Sequence, residues 1–308
     1  GVYTLTVPTG GGKTLSSLRF ALNHAKDKRK ERVFYIAPYT SIIEQNAKEV
    51  RDIIKCDENL LEYHSNILNE RSVDKIVYED KNDVKIFSDR WDYHFVFTTM
   101  VQFLNTLYAA PTSNIRRLQS ISNSVIIFDE VQSIPLHCVS LFNGAVNFLS
   151  KYLNCTIILC TATQPVLHKV KRPIYLSENH EIVKDVPDAF RKLKRVEVID
   201  KTRIEGYSHI DAANFVLERK QEKKSLLMIV NTVDAAENIY KLIKASEFKG
   251  NLYYLSSNIC PLHRMEVVEA IKGSLKNKED VICISTSIIE CGVNLSFECV
   301  IRSLTGLD

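Results

Sequence analysis

The residues from Pro8 to Thr14, Pro-Thr-Gly-Gly-Gly-Lys-Thr, have the types and the spacing that bind a phosphate chain. They follow the apolar run Val2–Val7 and open a segment with helical periodicity. Small residues let consecutive backbone N–H groups turn toward phosphate oxygens, and the following helix adds its positive N-terminal end. We expect Lys13 to reach the β- and γ-phosphates and the Thr14 hydroxyl to ligate Mg²⁺. The sequence therefore predicts an ATP site, formed by Pro8, Thr9, Gly10, Gly11, Gly12, Lys13 and Thr14.

Two adjacent acids, Asp129 and Glu130, end the apolar run that starts at Val125. At the carboxyl end of a strand beside a phosphate loop, Asp129 can hold Mg²⁺ through water and Glu130 can orient the attacking water. Strands often end in acids, so this pair gains its weight from the loop. We predict Thr14 and Asp129 as the metal residues, and the catalytic candidates are Lys13, Asp129, Glu130 and Gln132.

Two further segments add candidates. Thr161 and Thr163 follow an apolar run that ends at Cys160 and resemble the Ser/Thr-Ala-Thr segment of superfamily 2 helicases. That resemblance implies that their hydroxyls couple the acidic box, Asp129–Gln132, to an inter-domain cleft, whereas three small residues usually form only a turn. The segment from Ser285 to Asn294 resembles the helicase segment Ala-Thr-x-x-x-Glu-x-Gly-x-Asp. That resemblance implies that Thr286 and Ser287 touch a nucleic-acid backbone and that Gly292 and Asn294 approach the nucleotide. The alternative for that segment is an ordinary strand-to-helix turn.

The elements that must position these residues are short apolar strands alternating with helix-length amphipathic segments, which implies mostly parallel sheets with crossover helices. The alternation occurs twice, around a more polar stretch with some strand content at Val196–Ile199. We predict an α/β fold with two tandem RecA-like domains, residues 1–175 and 208–308, joined by a linker at 176–207. The predicted strands are Val2–Val7, Arg32–Ala37, Leu60–His64, Phe95–Thr98, Ser124–Phe128, Thr156–Cys160, Ser225–Val230, Asn251–Leu255, Val281–Ser285 and Cys299–Arg302.

Composition narrows the class of protein. A net charge of +3 over 308 residues does not by itself argue for nucleic acid. The eight cysteines contain no Cys-x-x-Cys pair, and Cys160 and Cys283 lie in apolar runs, which favours reduced, structural thiols over a zinc site or a disulfide framework. The sequence shows no signal peptide and no apolar run long enough to cross a membrane, so we expect no membrane association and a cytoplasmic location.

Taken together, the motifs resemble the helicase of type I CRISPR interference, a member of helicase superfamily 2. Helicases of that superfamily relax the first glycine of the strict phosphate-loop pattern, which is Val7 here. The stretch most characteristic of the CRISPR family is Pro-Tyr-Thr-Ser-Ile-Ile-x-Gln-Asn, at Pro38–Asn46. The other matching pieces are Pro8–Thr14, Phe97–Gln102, Asp129–Gln132, Thr161–Pro165 and Glu290–Asn294.

The resemblance implies an ATP-dependent motor that unwinds target DNA. Its implied partners are single-stranded DNA of the target R-loop, the Cascade surveillance complex, and a His-Asp (HD) metal nuclease carried upstream or on a separate chain. It also implies a path for the single strand over both domains. The residues implied for that path are Pro38, Tyr39, Thr40, Gln45, Asn46, Thr98, Thr99 and Gln102 in the first domain, and Asn231, Ser256, Ser257, Arg264, Thr286 and Ser287 in the second.

Two departures from the family pattern bear on activity. Asn294 stands where many relatives have Asp, which puts a carboxylate role there in doubt. Relatives continue beyond the position of Asp308 into a Gln-x-x-Gly-Arg helix whose arginines neutralise charge on the γ-phosphate. We therefore expect the second domain to be truncated at its C-terminal end, and the 308 residues to bind ATP but hydrolyse it slowly.

Other functions remain open at this stage. A superfamily 2 RNA helicase or a restriction-type translocase would carry similar motifs, and ATPase stimulation by single-stranded DNA or by RNA would separate them. A non-catalytic nucleic-acid-binding scaffold is the alternative of another class, and in such a protein Lys13→Ala would change nothing.

Overall fold

The computed structural model describes residues 1–8, 10–55, 59–64, 90–109, 112–290 and 295–304. The chain divides into two compact units, Gly1–Val196 and Glu197–Asp308. In both units every strand pairing is parallel, and the strands are nearly continuous apolar runs, as expected for sheets that are covered on both faces.

The first unit contains a six-stranded sheet in the order β1-β6-β5-β2-β4-β3. In this order β1 lies at one edge of the sheet. The phosphate loop follows β1 and the acidic box follows β5, so both lie at the carboxyl end of the sheet with only β6 between their strands. The strands are β1 (Val2–Thr6), β2 (Val33–Ala37), β3 (Leu60–Tyr63), β4 (Phe95–Thr99), β5 (Val125–Asp129) and β6 (Thr156–Thr161).

Helices cover both faces of this sheet. One core packs α1 (Lys13–Lys28) and α2 (Thr40–Ile54) against alternate strand residues such as Tyr35 and Ile127. The other core lies on the opposite face and includes Phe103, Phe128 and Phe142. Its helices are α3 (Met100–Tyr108), α4 (Thr112–Ile121) and α5 (Val139–Tyr152).

The second unit contains a four-stranded sheet in the order β10-β7-β9-β8. Its helix α7 begins with a capping box in which Ser208 and Asp211 bond each other's backbone N–H groups, so the start of the helix is well defined. The elements are α7 (His209–Lys220), β7 (Ser225–Val230), α8 (Val233–Lys244), β8 (Asn251–Leu255), α9 (Pro261–Lys276), β9 (Val281–Thr286) and β10 (Cys299–Arg302).

The stretch that we predicted as a linker, 176–207, is divided between the two units. Its first part runs beside β1: Ser177 N–H donates to the Val2 carbonyl at 3.0 Å, and Ile182 N–H donates to the Thr4 carbonyl at 2.9 Å. A short helix, α6 (Val186–Lys192), follows. Residues 177–182 thus complete the hydrogen bonding of the edge strand, and the first unit extends to Val196.

The predicted strand content at Val196–Ile199 is wrong. The backbone there is irregular, and Val196 and Val198 are 70% and 89% exposed. Alternating apolar residues suggested a strand, but a strand also needs a partner edge. The other predicted strands are present with ends shifted by at most one residue, whereas α4 and α6 were not predicted. Within the part of the chain that the structure describes, no helix is long and apolar enough to span a bilayer.

Candidate nucleotide site and nucleic-acid surface

The loop between β1 and α1 has the shape of a phosphate cradle. Gly10 and Gly12 have φ values of 75° and 77°, which favour glycine, and Gly12 is the N-cap residue of α1. A Cβ on Gly11 would lie 2.6 Å from Val7 Cγ1, whereas a Cβ on Gly12 would meet nothing within 4 Å. The loop is therefore tightly packed behind Gly11 and open in front of Gly12, where an anion would meet the start of α1. Pro8 accepts a hydrogen bond from Gly11 N–H, and Thr9 lies outside the described residues.

Lys13, the first residue of α1, is held by both acids at the end of β5. Its Nζ pairs with Glu130 Oε1 and lies 3.3 Å from Asp129 Oδ1. The side chain is 11% exposed. Burial alone would lower the pKa of Lys13, but the charges of Asp129 and Glu130 outweigh burial and raise this pKa above its usual value. Lys13 is therefore a cation fixed at the mouth of the loop.

Asp129 is anchored by a residue that the sequence analysis missed. The buried Tyr35 hydroxyl donates to Asp129 Oδ2 at 2.7 Å, and the Thr14 side chain lies near the same hydroxyl. Burial raises the pKa of Asp129, and the Lys13 charge and the Tyr35 bond offset this only in part. Burial and the Asp129 charge raise the pKa of Tyr35 well above its usual value, so this hydroxyl stays a donor. The only sequence signal was a tyrosine inside the apolar strand β2.

A chain of side-chain hydrogen bonds leads from Glu130 to the end of β6. Gln132 Nε2 donates to Glu130 Oε2 at 2.5 Å, and Thr161 Oγ1 donates to Gln132 Oε1. Thr163 N–H donates to Thr161 Oγ1 at 3.2 Å. Glu130 has φ 50°, a left-handed conformation that turns its carboxylate back toward Lys13. The predicted catalytic and coupling residues are thus contiguous, while their roles remain predictions.

The residues present fit a nucleotide with its metal ion. The open space at Gly12 suits a phosphate group. Thr14 and Asp129 both lie at the Tyr35 hydroxyl and offer the oxygen ligands that Mg²⁺ prefers. Bound there, Mg²⁺ would neutralise charge on the phosphates.

The predicted nucleic-acid residues of the first unit lie at or just after the carboxyl ends of β2 and β4, but they differ in accessibility. Tyr39 is 45% exposed and Gln45 faces outward from α2. Asn46 is only 6% exposed. Thr98 is fully buried and donates to the Tyr63 carbonyl, and Thr99 caps α3 by accepting from Gln102 N–H. Pro38, Thr40 and Gln102 are partly exposed.

In the second unit the predicted residues also follow strands. Asn231 and Ser257 are exposed, and Asn231 Nδ2 donates to the Leu304 carbonyl. Ser256 is fully buried and accepts from Asn258 N–H. Arg264 donates to the Ile259 carbonyl at 3.3 Å. Thr286 is 7% exposed and Ser287 is exposed. Gly292 and Asn294 lie outside the described residues.

Burial argues against direct contact for part of the predicted path. The side chains of Asn46, Thr98 and Ser256 face the protein interior, since these residues are at most 6% exposed. The other predicted members Tyr39, Gln45, Asn231, Ser257 and Ser287 are exposed on the surface of their own unit.

Two family models match the chain. The model described as DEAD/DEAH box helicase matches residues 3–173. The model described as the C-terminal part of the CRISPR-associated nuclease/helicase Cas3 matches residues 222–308. A curated relative, the CRISPR-associated nuclease/helicase Cas3 of Haloferax volcanii, is 28% identical over 182 residues, which are 54% of this chain and 19% of that relative.

Solved structures show the same fold. The crystal structure of T. fusca Cas3 with AMPPNP has a TM-score of 0.76 at 16% identity, over 99% of this chain and 40% of that chain. A chain of a CRISPR RNA-guided surveillance complex, pre-nicking, has a TM-score of 0.62 at 15% identity, over 99% of this chain and 38% of that one. The chain thus spans less than half the length of these relatives. The shared fold confirms the prediction of two tandem RecA-like domains.

Proposed function

The chain belongs to the DEAD/DEAH box helicase family and has the helicase core of the CRISPR-associated helicases, and we propose that it is an ATP-driven motor that moves along single-stranded DNA. In this proposal the motor unwinds the target R-loop in type I CRISPR interference. The names of the relatives, a nuclease/helicase and a surveillance complex, support this setting.

The observation that carries the proposal is the convergence of Lys13, Asp129 and Glu130 at the open mouth of the loop. The two carboxylates already hold Lys13 where a phosphate chain would arrive. An incoming triphosphate would take over the partnership with Lys13 and separate Lys13 from Glu130. Glu130, now without its cation, could accept a proton from the attacking water or orient it.

Tyr35 and Gln132 position the two acids during this exchange. Tyr35 holds Oδ2 of Asp129, so that Oδ1 faces Lys13. Gln132 holds Oε2 of Glu130 and is itself bonded by Thr161, so a change at Glu130 would reach the end of β6. We propose this chain of bonds as the route by which hydrolysis is coupled to movement.

The single-stranded DNA would run over exposed residues that come after β-strands in each unit. These include Tyr39 and Gln45 in the first unit and Ser257 and Ser287 in the second. Contacts to the phosphate backbone and stacking on an aromatic ring ignore sequence, which suits a translocating motor. The proposed partners are Cascade and an HD nuclease, and the proposed location is the cytoplasm.

Nucleotide binding and ATPase rate, measured with single-stranded DNA, with RNA and without nucleic acid, test the proposal. A DNA-stimulated rate supports the motor. Stimulation by RNA alone would favour an RNA helicase. Nucleic-acid binding with no affinity for ATP would favour a scaffold and overturn the proposal.

A further inference from the structure

Arg195 is the last residue but one of the first unit in sequence, and its side chain contacts the phosphate loop. Its Nη2 donates to the Gly10 carbonyl at 3.1 Å, and Nη1 lies 2.9 Å from where a Cβ on Gly10 would be. Leu193 packs against the same loop, with Cδ1 3.0 Å from the position of a Cβ on Gly11. Arg195 and Gly10 are separated by 185 residues in the sequence, so only the fold brings them together.

The segment that delivers Arg195 is tied to β1, the strand that ends in the loop. Glu181 is the main anchor: its carboxylate accepts from the hydroxyls of Thr4 and Thr6, at 2.9 and 2.5 Å, and from Thr6 N–H at 3.2 Å. Thr4 and Glu181 also form a parallel bridge. From there α6 leads the chain back over the loop. The fold therefore brings the segment that carries Arg195 to the loop, where the exposed guanidinium bonds the Gly10 carbonyl.

Charge at the loop shows what this guanidinium can do. Lys13 is matched by two carboxylates, Asp129 and Glu130, so these three groups together carry a net negative charge when all are ionised. A triphosphate brought to such a site would be repelled, and positive charge beyond Lys13, from Mg²⁺ held by Thr14 and Asp129 and from cationic side chains near the loop, would offset that repulsion. Arg195 is exposed and presents a planar fork of N–H donors, the group best suited to bind phosphate oxygens.

We propose that Arg195 is a further nucleotide-binding residue, which contacts the phosphate chain of the nucleotide beside Gly10. The proposal rests on the proposed function, because it assumes that the loop binds ATP. Arg195 touches the loop at Gly10, three residues before Lys13, and not at the acids where the attacking water would be held. It therefore contributes to binding of ADP and ATP alike, and not to the chemical step.

The test compares Arg195→Ala with Lys194→Ala in the full chain. Lys194 is the neighbouring exposed cation, so the control removes the same charge from the same segment. We expect Arg195→Ala to raise the Kd of ATP and of ADP about fivefold to twentyfold, with kcat little changed and KM raised. The Kd of adenosine should be unchanged. Equal Kd values for the two variants, or a loss confined to kcat, would overturn the proposal.

A second pair of variants separates phosphate binding from simple support of the loop. Gln can still donate to the Gly10 carbonyl but carries no charge, whereas Lys keeps the charge. If Arg195 binds phosphate, Arg195→Gln resembles Arg195→Ala and Arg195→Lys recovers part of the affinity. If it only supports the loop, Arg195→Gln binds ATP normally, which contradicts the proposal. Lys13→Ala tests the proposed function separately. If Lys13→Ala keeps its affinity for ATP, both proposals are contradicted. If only Arg195→Ala keeps its affinity for ATP, the Arg195 proposal alone is contradicted.

Discussion

The carboxyl ends of the two sheets carry different kinds of side chains. In the first unit, charged groups bond one another: Lys13 pairs with Asp129 and Glu130, and Glu130 is held by Gln132. In the second unit, the predicted residues Asn231 and Arg264 donate to backbone carbonyls. At the carboxyl end of the first sheet, charged side chains bond one another, and an anion can rearrange these bonds. At the carboxyl end of the second sheet, the side chains make separate contacts, neutral or to the backbone, which suit a surface that holds a ligand without reacting with it. The predictions below test that contrast.

The largest effect is expected from Lys13→Ala. The variant removes the cation and leaves the buried Asp129 beside Glu130 without it. We expect the Kd of ATP to rise at least about a hundredfold, since charge-assisted bonds to phosphate are lost. Isothermal titration calorimetry measures this. Lys26→Ala, an exposed lysine near the end of the same helix, is the control and should bind ATP normally.

Glu130→Gln should separate binding from hydrolysis. Loss of the group that orients or deprotonates water lowers kcat by about 10²- to 10⁴-fold. The variant should bind ATP at least as tightly as the unmodified protein does, because Lys13 then breaks one ion pair fewer when it binds the phosphate chain. Single-turnover kinetics and a binding assay on the same sample check both parts. A normal kcat would show that Glu130 does not act in the reaction. Asn231→Ala in the second unit should leave single-turnover hydrolysis unchanged in the absence of nucleic acid.

Two tyrosines allow a matched test of the contrast in stability. Tyr35→Phe removes a buried donor to the carboxylate of Asp129, and we expect a loss of about 1–3 kcal/mol in the free energy of unfolding, together with weaker ATPase activity. Tyr253→Phe in the second unit removes a bond between neutral hydroxyls, to Ser274, and should cost about 1 kcal/mol or less. Denaturant titrations of both variants give the comparison. Equal losses would mean that the charged network of the first unit gives Tyr35 no special weight.

The smallest effect is a pH dependence. Burial raises the pKa of Asp129, so the folded state binds this proton more tightly than the unfolded chain does. The stability that Asp129 contributes is present below its ordinary pKa of 3.8 and is lost as the pH rises through the raised value. The Asp129→Asn variant has no carboxyl that titrates at this position, so it does not lose stability in this way as the pH rises. Its free energy of unfolding relative to the unmodified protein should therefore increase as the pH rises through that window, as measured by denaturant titration. A decrease would contradict the raised pKa.

Local motifs identified the loop and the acidic box, each within a few consecutive residues, and the structure brings Lys13, Asp129 and Glu130 together, while their use as a nucleotide site stays a prediction. The fold class followed from the alternation of apolar runs. Tyr35 was missed because only the register of β2 beside β5 brings its hydroxyl to Asp129. Arg195 and Glu181 were missed because their partners lie about 180 residues away in the sequence. The predicted nucleic-acid residues mix exposed and buried side chains, since a motif identifies a segment and does not tell which side of it faces water.

The segment beside β1 also blocks one route to self-association, the pairing of this edge strand with another chain. β1 lies at the edge of its sheet, and an edge strand with free N–H and C=O groups is a template for pairing with a strand of another chain. Here the outward backbone groups of Val2 and Thr4 are already bonded to residues 177–182, and Thr6 N–H is bonded to Glu181. The strand that presents the phosphate loop is thereby closed to a second copy of the sheet.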